Sequence, residues 1–429
     1  MLESKTEEIL IAQDPPTAWK RLSRAPRHAA TSLWQAPLPN ARFLIVSGAF
    51  WTVLLAITEP YKSLFYAKLG MSTAQIGGLV SIDLVVRSSG LLFSGWFMRT
   101  FGAKRMLVVA DSLSWVVPYL ILGMATRPWH ILLAVLFTSL NAFASTPYNC
   151  MLAAGMPPER RTRAYAFMHI WNMAPALVMP LFAGFWLKAH TGDQSFLGFL
   201  RILFLVQAAS MAIGILWRSR RLVDLPRQQS RLDRQLLGRI KDVLFHPTFF
   251  AAWAALVMQG VFQQVSGSFS SIYLTQSAHY GLDIPAWSSA IGAIGFALGI
   301  LALQSRLSER TALRLAPVGL ALHAASLLLL LLHPHPLVVL AISLAGGLFG
   351  SLYAAATSSV LIGLLPEDVR DHGFAICYVG VFLCGAALMP VSGAVLKAHP
   401  QSFPWIAGLS LALWGVGIAI AGRRVLRQS

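Results

Sequence analysis

Charge is scarce in this chain. Only 12% of its 429 residues are Asp, Glu, Lys or Arg, where a water-soluble domain carries about 25%. With 56% of the residues hydrophobic, an ordinary soluble globular protein is excluded. Acid is scarcer than base, 17 Asp+Glu against 34 Lys+Arg, and the formal net charge is +17. In a soluble protein that surplus suits nucleic acid. Here the basic residues fall in short clusters between apolar runs, a membrane-protein pattern that excludes a nucleic-acid partner. Cysteine is also scarce: Cys150, Cys377 and Cys384 all lie inside apolar runs. An odd count at those spacings excludes a disulfide framework and a metal site. No Gly-x-x-x-x-Gly-Lys-[Ser/Thr] loop is present, so nucleotide hydrolysis lacks its phosphate cradle. Nothing in the sequence has the spacing of a Ser/His/Asp or metal-dependent enzyme, and no cofactor is expected. A cleavable signal core is missing as well, so the first membrane helix is expected to serve as its own targeting signal.

What is present is a series of apolar runs of about 20 residues, the length that crosses a hydrocarbon core. They predict helices over 43–66, 73–98, 104–125, 129–152, 164–188 and 196–216, then over 248–275, 284–304, 312–332, 336–361, 372–397 and 403–421. The expected fold is all-α: a polytopic membrane protein with twelve transmembrane helices in two six-helix lobes, 42–217 and 248–421. Between them, 218–247 reads as a solvated linker. Arg218, Arg220, Arg221, Arg227, Arg231, Arg234, Arg239 and Lys241 place eight of the 34 basic residues there. The alternate loops hold only Lys68, Arg127, Lys188 and Lys397. That asymmetry predicts a cytoplasmic linker and cytoplasmic termini, 1–41 and 422–429, on a monomer in the cytoplasmic (inner) membrane. In the N-terminal tail, Lys20, Arg21, Arg24 and Arg27 are expected to rest on anionic membrane lipid.

The two halves carry an internal repeat. Pro158-Glu159 opens a stretch through Tyr165-Ala166 and Met179-Pro180 to Gly184 and Leu187-Lys188-Ala189-His190. Pro366-Glu367 opens another through Phe374-Ala375 and Met389-Pro390 to Gly393 and Leu396-Lys397-Ala398-His399. Each copy covers a loop and the fifth helix of its half, so the lobes are related to one another.

The loop after the second predicted helix reads Gly95-Trp-Phe-Met-Arg99-Thr100-Phe-Gly102-Ala103-Lys104-Arg105. It resembles the Gly-x-x-x-Asp-Arg-x-Gly-Arg-Arg signature of the major facilitator superfamily. Gly95, Gly102, Lys104 and Arg105 fit; Arg99 stands at the acidic position and Thr100 at the next basic one. Its glycines are expected to allow tight turns and close helix approach, its basic residues to hold the cytoplasmic end. Asp111-Ser-Leu-Ser-Trp115 resembles bacterial members without an assigned substrate. The resemblance implies a secondary transporter of small-molecule substrate that works by alternating access around a site near the bilayer midplane, without a cofactor. Two features of the superfamily's proton-driven drug antiporters are missing: an Arg in helix 4 and repeated glycines in helix 5. The alternatives are such a multidrug/proton antiporter, or a non-transporting membrane receptor or scaffold of the same fold.

Charged groups within a span are costly unless paired or functional. Asp83 and Arg87 share one face of helix 2, and Asp111 lies about 10 Å into helix 3. Arg87 is placed to reach either acid. The group reads as a buried ion pair or as a proton-coupling site. Glu59 and Lys62 are expected at the outer end of helix 1, in a vestibule or at the headgroups. Helix 7 carries Gln259, Gln263, Gln264 and Ser266; Gln259, Gln263 and Ser266 repeat at helical spacing and predict a polar face on a central cavity. Asn141, Trp171 and Asn172 from the first half, with Tyr353 and Tyr378 from the second, complete the candidate substrate-binding set.

Overall fold

A backbone surrounded by lipid has no water to bond with, so an apolar run must close its hydrogen bonds internally, as a helix. The structure is a computed structural model, describing residues 38–156, 161–189, 192–225, 247–300, 309–364 and 370–428. Among these residues there is no strand. The first lobe consists of α1 (Pro39–Lys68), α2 (Thr73–Phe101), α3 (Ala103–Gly123), α4 (Pro128–Ala154), α5 (Arg161–Ala189) and α6 (Asp193–Arg221). The second consists of α7 (Pro247–Ile272, extended by a π-turn at Tyr273–Ser277), α8 (Asp283–Gly299) and α9 (Glu309–Leu328), then α10 (Pro336–Leu364), α11 (Arg370–Ala398) and α12 (Phe403–Gln428). Among the described residues, nine segments are long and apolar enough to cross a membrane. α5, α7 and α8 are not among the nine; α8 is described for only 17 residues.

Local chemistry sets the helix ends. Pro39, Pro128, Pro247 and Pro336 each open a helix, where a missing N–H costs nothing. Ser72 and Gln75 form a reciprocal capping box at the start of α2, which satisfies two orphan amides. Gly102 joins α2 to α3 at φ +87°, a left-handed conformation that favours glycine.

Large apolar side chains such as Leu92, Phe93, Phe185, Ile202, Ile213 and Leu409 are exposed around the bundle. On a soluble surface they would form an aggregation liability; on helices of membrane-crossing length, lipid tails are the expected surroundings of such side chains. Since lipid is as apolar as leucine, helix association depends on close packing and polar contacts instead. Both operate between the lobes, where α2 meets α11 and α5 meets α8. The start of α2 lies against the end of α11, so α1 begins and α12 ends at the same end of the bundle, here called the linker end. The opposite end is the far end.

Three hydrogen bonds among described residues join the lobes. Tyr61 donates to Leu282 O at 2.7 Å, Thr73 to Gly393 O at 3.0 Å and Ser81 to Ala386 O at 2.6 Å. All three lie in the far half. The sequence repeat acquires a physical meaning here. A Cβ on Gly393 would overlap the Thr73 carbonyl of α2, and one on Gly184 would sit 2.6 Å from Trp287 Nε1 of α8. The equivalent glycines of the two copies therefore occupy equivalent contacts between the lobes. Parts of the repeat, including Pro158-Glu159 and Pro366-Glu367, lie outside the described residues.

The structure corrects the predicted start of the linker. Helix α6 continues to Arg221, and residues 222–225 follow as extended chain. Arg218 is thus in the last turn of a helix and only 2% exposed. Residues 226–246 lie outside the described residues.

Candidate functional site

Arg218 reorganises the expected charge pairing. Its Nη1 donates to Asp111 Oδ2 at 2.8 Å, its Nε to Ser47 Oγ at 2.9 Å and its Nη2 to the Leu44 carbonyl at 3.4 Å. Its guanidinium lies over the Trp51 ring, 3.7 Å from the centroid, a cation–π geometry. Asp111 is 3% exposed. Helices α1, α3 and α6 are therefore tied together inside the first lobe by one enclosed ion pair. Arg87 does not share Asp111, contrary to the expectation that it is placed to reach either acid. A partner 107 residues away in sequence holds Asp111 instead.

Arg87 and Asp83 form their own pair. Arg87 Nε donates to Oδ1 at 2.8 Å and lies 2.9 Å from Oδ2, with both side chains partly accessible. Ser139 on α4 donates to Asp83 Oδ1 at 2.7 Å. The same hydroxyl lies 2.7 Å from the Val135 carbonyl; the carboxylate is the stronger acceptor. Lys62 and Tyr66 of α1 stand within electrostatic reach of Asp83, and Lys62 Nζ is 3.3 Å from Glu59 Oε1.

Two of the cavities lined by both lobes take in residues singled out from the sequence. The larger, about 650 Å³, has walls from α1, α5, α7, α8, α9, α10 and α12 and takes in Glu59 and Ser266. The smaller, about 210 Å³, is lined by Gln259, Gln263, Gln264 and Tyr378. The polar face expected of α7 is thus divided, its glutamines in one cavity and its serine in the other. The Gln259 amide oxygen is enclosed without a partner. Tyr353 is buried, its hydroxyl also without a partner. Asn141 and Asn172 are half-buried, Trp171 is exposed, and none of the three lines either cavity. Sequence reasoning missed His323, which lines the larger cavity from α9. Its signal was a lone imidazole in an apolar run.

The loop at Gly95–Arg105 behaves differently at its two glycines. Nothing lies within 4 Å of a Cβ built on Gly95, so the close helix approach expected there is absent. Arg99 Nε donates back to Gly95 O at 3.3 Å. At Gly102 a Cβ would sit 2.7 Å from Asp224 Oδ2, and Asp224 Oδ1 accepts from the Lys104 amide at 3.0 Å. An acid absent at position 99 thus arrives instead from the extended chain after α6, and it caps α3. The Asn40 side chain both donates to Val223 O at 3.1 Å and accepts from Val223 N at 3.2 Å. Together they fasten the start of the linker to α1 and α3. Replacing Asp224 by alanine is expected to lower stability by about 1 kcal/mol, the usual worth of an N-cap, read as a lower melting temperature. Asp224→Asn is expected to retain most of it.

The sequence model of the Major Facilitator Superfamily matches residues 41–314. No curated protein matches the chain. Solved structures share its fold at low identity. The crystal structure of a D-xylose–proton symporter superposes with a TM-score of 0.66 at 16% identity, over 88% of this chain and 96% of that one. A mutant of the nucleoside transporter NupG gives 0.64 at 17%, over 90% and 99%. A bacterial homolog to the human lysosomal transporter Spinster, inward-facing and occupied, gives 0.62 at 15%, over 90% and 95%. With the superfamily's sequence pattern over more than half of the chain, and two six-helix lobes enclosing cavities between them, this integral membrane protein belongs to the Major Facilitator Superfamily and is a membrane transporter.

Proposed function

We propose that the chain is a secondary active transporter that moves a small solute by alternating access, with protons as the coupling ion. The observation that carries this reading is the placement of the three hydrogen bonds that join the lobes among the described residues, all in the far half. A cavity of about 650 Å³ beside that closure is within the range of small-molecule sites. In this reading the far end faces outward, the linker end faces the cytoplasm across the inner membrane, and the closure seals the outer side. Rocking of the lobes breaks it and opens the site outward. The protein performs no chemistry on the solute.

The coupling role falls to Asp83. As a carboxylate it holds Arg87 and accepts from Ser139; a proton on Asp83 removes the charge attraction and frees the guanidinium. Arg87 from its own helix, and Lys62 and Tyr66 from α1, are charged or titratable groups within electrostatic reach of it. The test uses spin labels across the far end and across the linker end, compared with and without a pH gradient imposed across the membrane. Anticorrelated distance changes are expected, and distances that never move would overturn alternating access. In Asp83→Asn the pH response is expected to vanish, while solute exchange at equal pH on both sides continues. An unaltered pH response in that variant would remove the coupling role. A lower melting temperature restored by Asp83→Asn with Arg87→Gln would identify the pair as structural.

A further inference from the structure

The wall of the larger cavity is chemically uneven. One basic-capable group and one acid line it, and they are far from equivalent. Glu59 is already engaged by Lys62 at 3.3 Å. His323 is 8% exposed and its Nδ1 is enclosed with no hydrogen-bond partner. The imidazole is held edge-on to Phe262, centroids 5.7 Å apart. Gly346 makes room for it, since a Cβ there would sit 2.6 Å from Nε2. Ser288 lines the cavity from α8, and its Oγ is likewise enclosed and without a partner. Buried polar atoms are as a rule hydrogen-bonded, and leaving them unpaired is costly. Two residues carrying such atoms line the same cavity, where a turn of either side chain would offer a hydrogen bond to a ligand.

The same wall limits the charge of that ligand. Among the described residues no Lys or Arg lines the cavity. An anion entering it would leave water without gaining a countercharge, a large penalty, and would approach Glu59. The remaining wall, including Leu327 and Ile342, is mostly apolar. We propose that His323 and Ser288 form the recognition pole of the substrate site. The solute they select is uncharged, with a hydroxyl or amide for these two atoms and an apolar body for the surrounding wall. This assignment rests on the transporter reading above and adds the substrate class to it.

Four probes with a shared nitrophenyl ring test it on the purified full chain: 4-nitrophenyl β-glucoside and 4-nitroacetanilide, which are neutral, and 4-nitrophenyl phosphate and 4-nitrobenzoate, which are anionic. At least one neutral probe is expected to raise the melting temperature saturably, and neither anion is. In His323→Leu the apparent affinity of that neutral probe is expected to fall at least about tenfold, equal to about 1.4 kcal/mol. His323→Gln, which keeps a hydrogen-bonding group, is expected to lose less. Ser288→Ala provides an independent variant should His323→Leu fail to fold. An anion binding as well as the neutral probes, no neutral binding, or neutral binding unchanged in His323→Leu and Ser288→Ala would each overturn the proposal. The spin-label distances separate the two readings: lobes that alternate without such binding leave the transporter reading standing, and binding without alternation leaves only this site.

Discussion

Replacing Gly393 by leucine is expected to hold the far end of the bundle open and to cut net transport at least about tenfold. A Cβ at this position would overlap the Thr73 carbonyl and lie 3.2 Å from the Ala74 Cα. These are backbone atoms of α2 and cannot rotate away as a side-chain tip can. Overpacking of this kind costs typically 1–3 kcal/mol, and about 1.4 kcal/mol is already tenfold in an equilibrium constant. The cost applies only where α2 and α11 touch, so it shifts the population toward the separated arrangement. Gly77 makes the reciprocal contact, with its own Cβ overlapping the Met389 carbonyl, and Gly77→Leu is expected to behave alike. Gly95→Leu is the control: it adds the same side chain to α2 where nothing lies within 4 Å. Spin labels at Gln194 and Gln401, both exposed near the far end, give the readout. Longer distances in Gly393→Leu and unchanged ones in Gly95→Leu are expected. Equal distances in all the proteins would show that this contact does not decide the conformation.

The second large effect is expected at Asp111 and Arg218, and its asymmetry is the informative part. Breaking a buried pair by removing one partner costs about 3–5 kcal/mol, because the other charge stays buried and uncompensated. Arg218→Ala leaves a carboxyl, which a proton can neutralise. Asp111→Asn leaves a guanidinium, which stays protonated in proteins. Asp111→Asn is therefore expected to be the more damaging of the two, with Trp51 and Ser47 unable to replace the lost anion. Removing both charges, as Asp111→Asn with Arg218→Leu, is expected to recover more than half of the stability, since an apolar replacement of a buried pair is often close to neutral. Melting temperatures of the three proteins in one detergent decide it. A double variant no better than the worse single would mean that the packing around the pair, rather than its charge, carries the stability.

The positions of Asp83 and Arg87 illustrate what was readable without coordinates. Four residues apart on a helix, they were bound to meet, and they do. The two glycines at 184 and 393 were visible as members of a repeat, although their use was not. By contrast, Gln259 and Ser266 share a helical face yet line different cavities. A helical period assigns a direction around one helix and says nothing about how many neighbours divide the space in front of it.

Quantities that are local or additive along the chain are legible from the residues alone. Runs of about 20 apolar residues had to become membrane-crossing helices, because lipid offers the backbone no other partner. The repeat implied two related lobes, and the motif around Gly102 indicated the family. Which distant groups meet depends on how the helices pack. Arg218 looked like the first residue of a solvated basic linker; it is enclosed because Asp111, Ser47 and Trp51 converge on it from two other helices. Asp224 caps α3 from 120 residues away. His323, a lone histidine in an apolar run, became a candidate binding group only when α8 and α10 closed a cavity around it. Such pairings have no period or spacing to read, since they are set by which helix faces which.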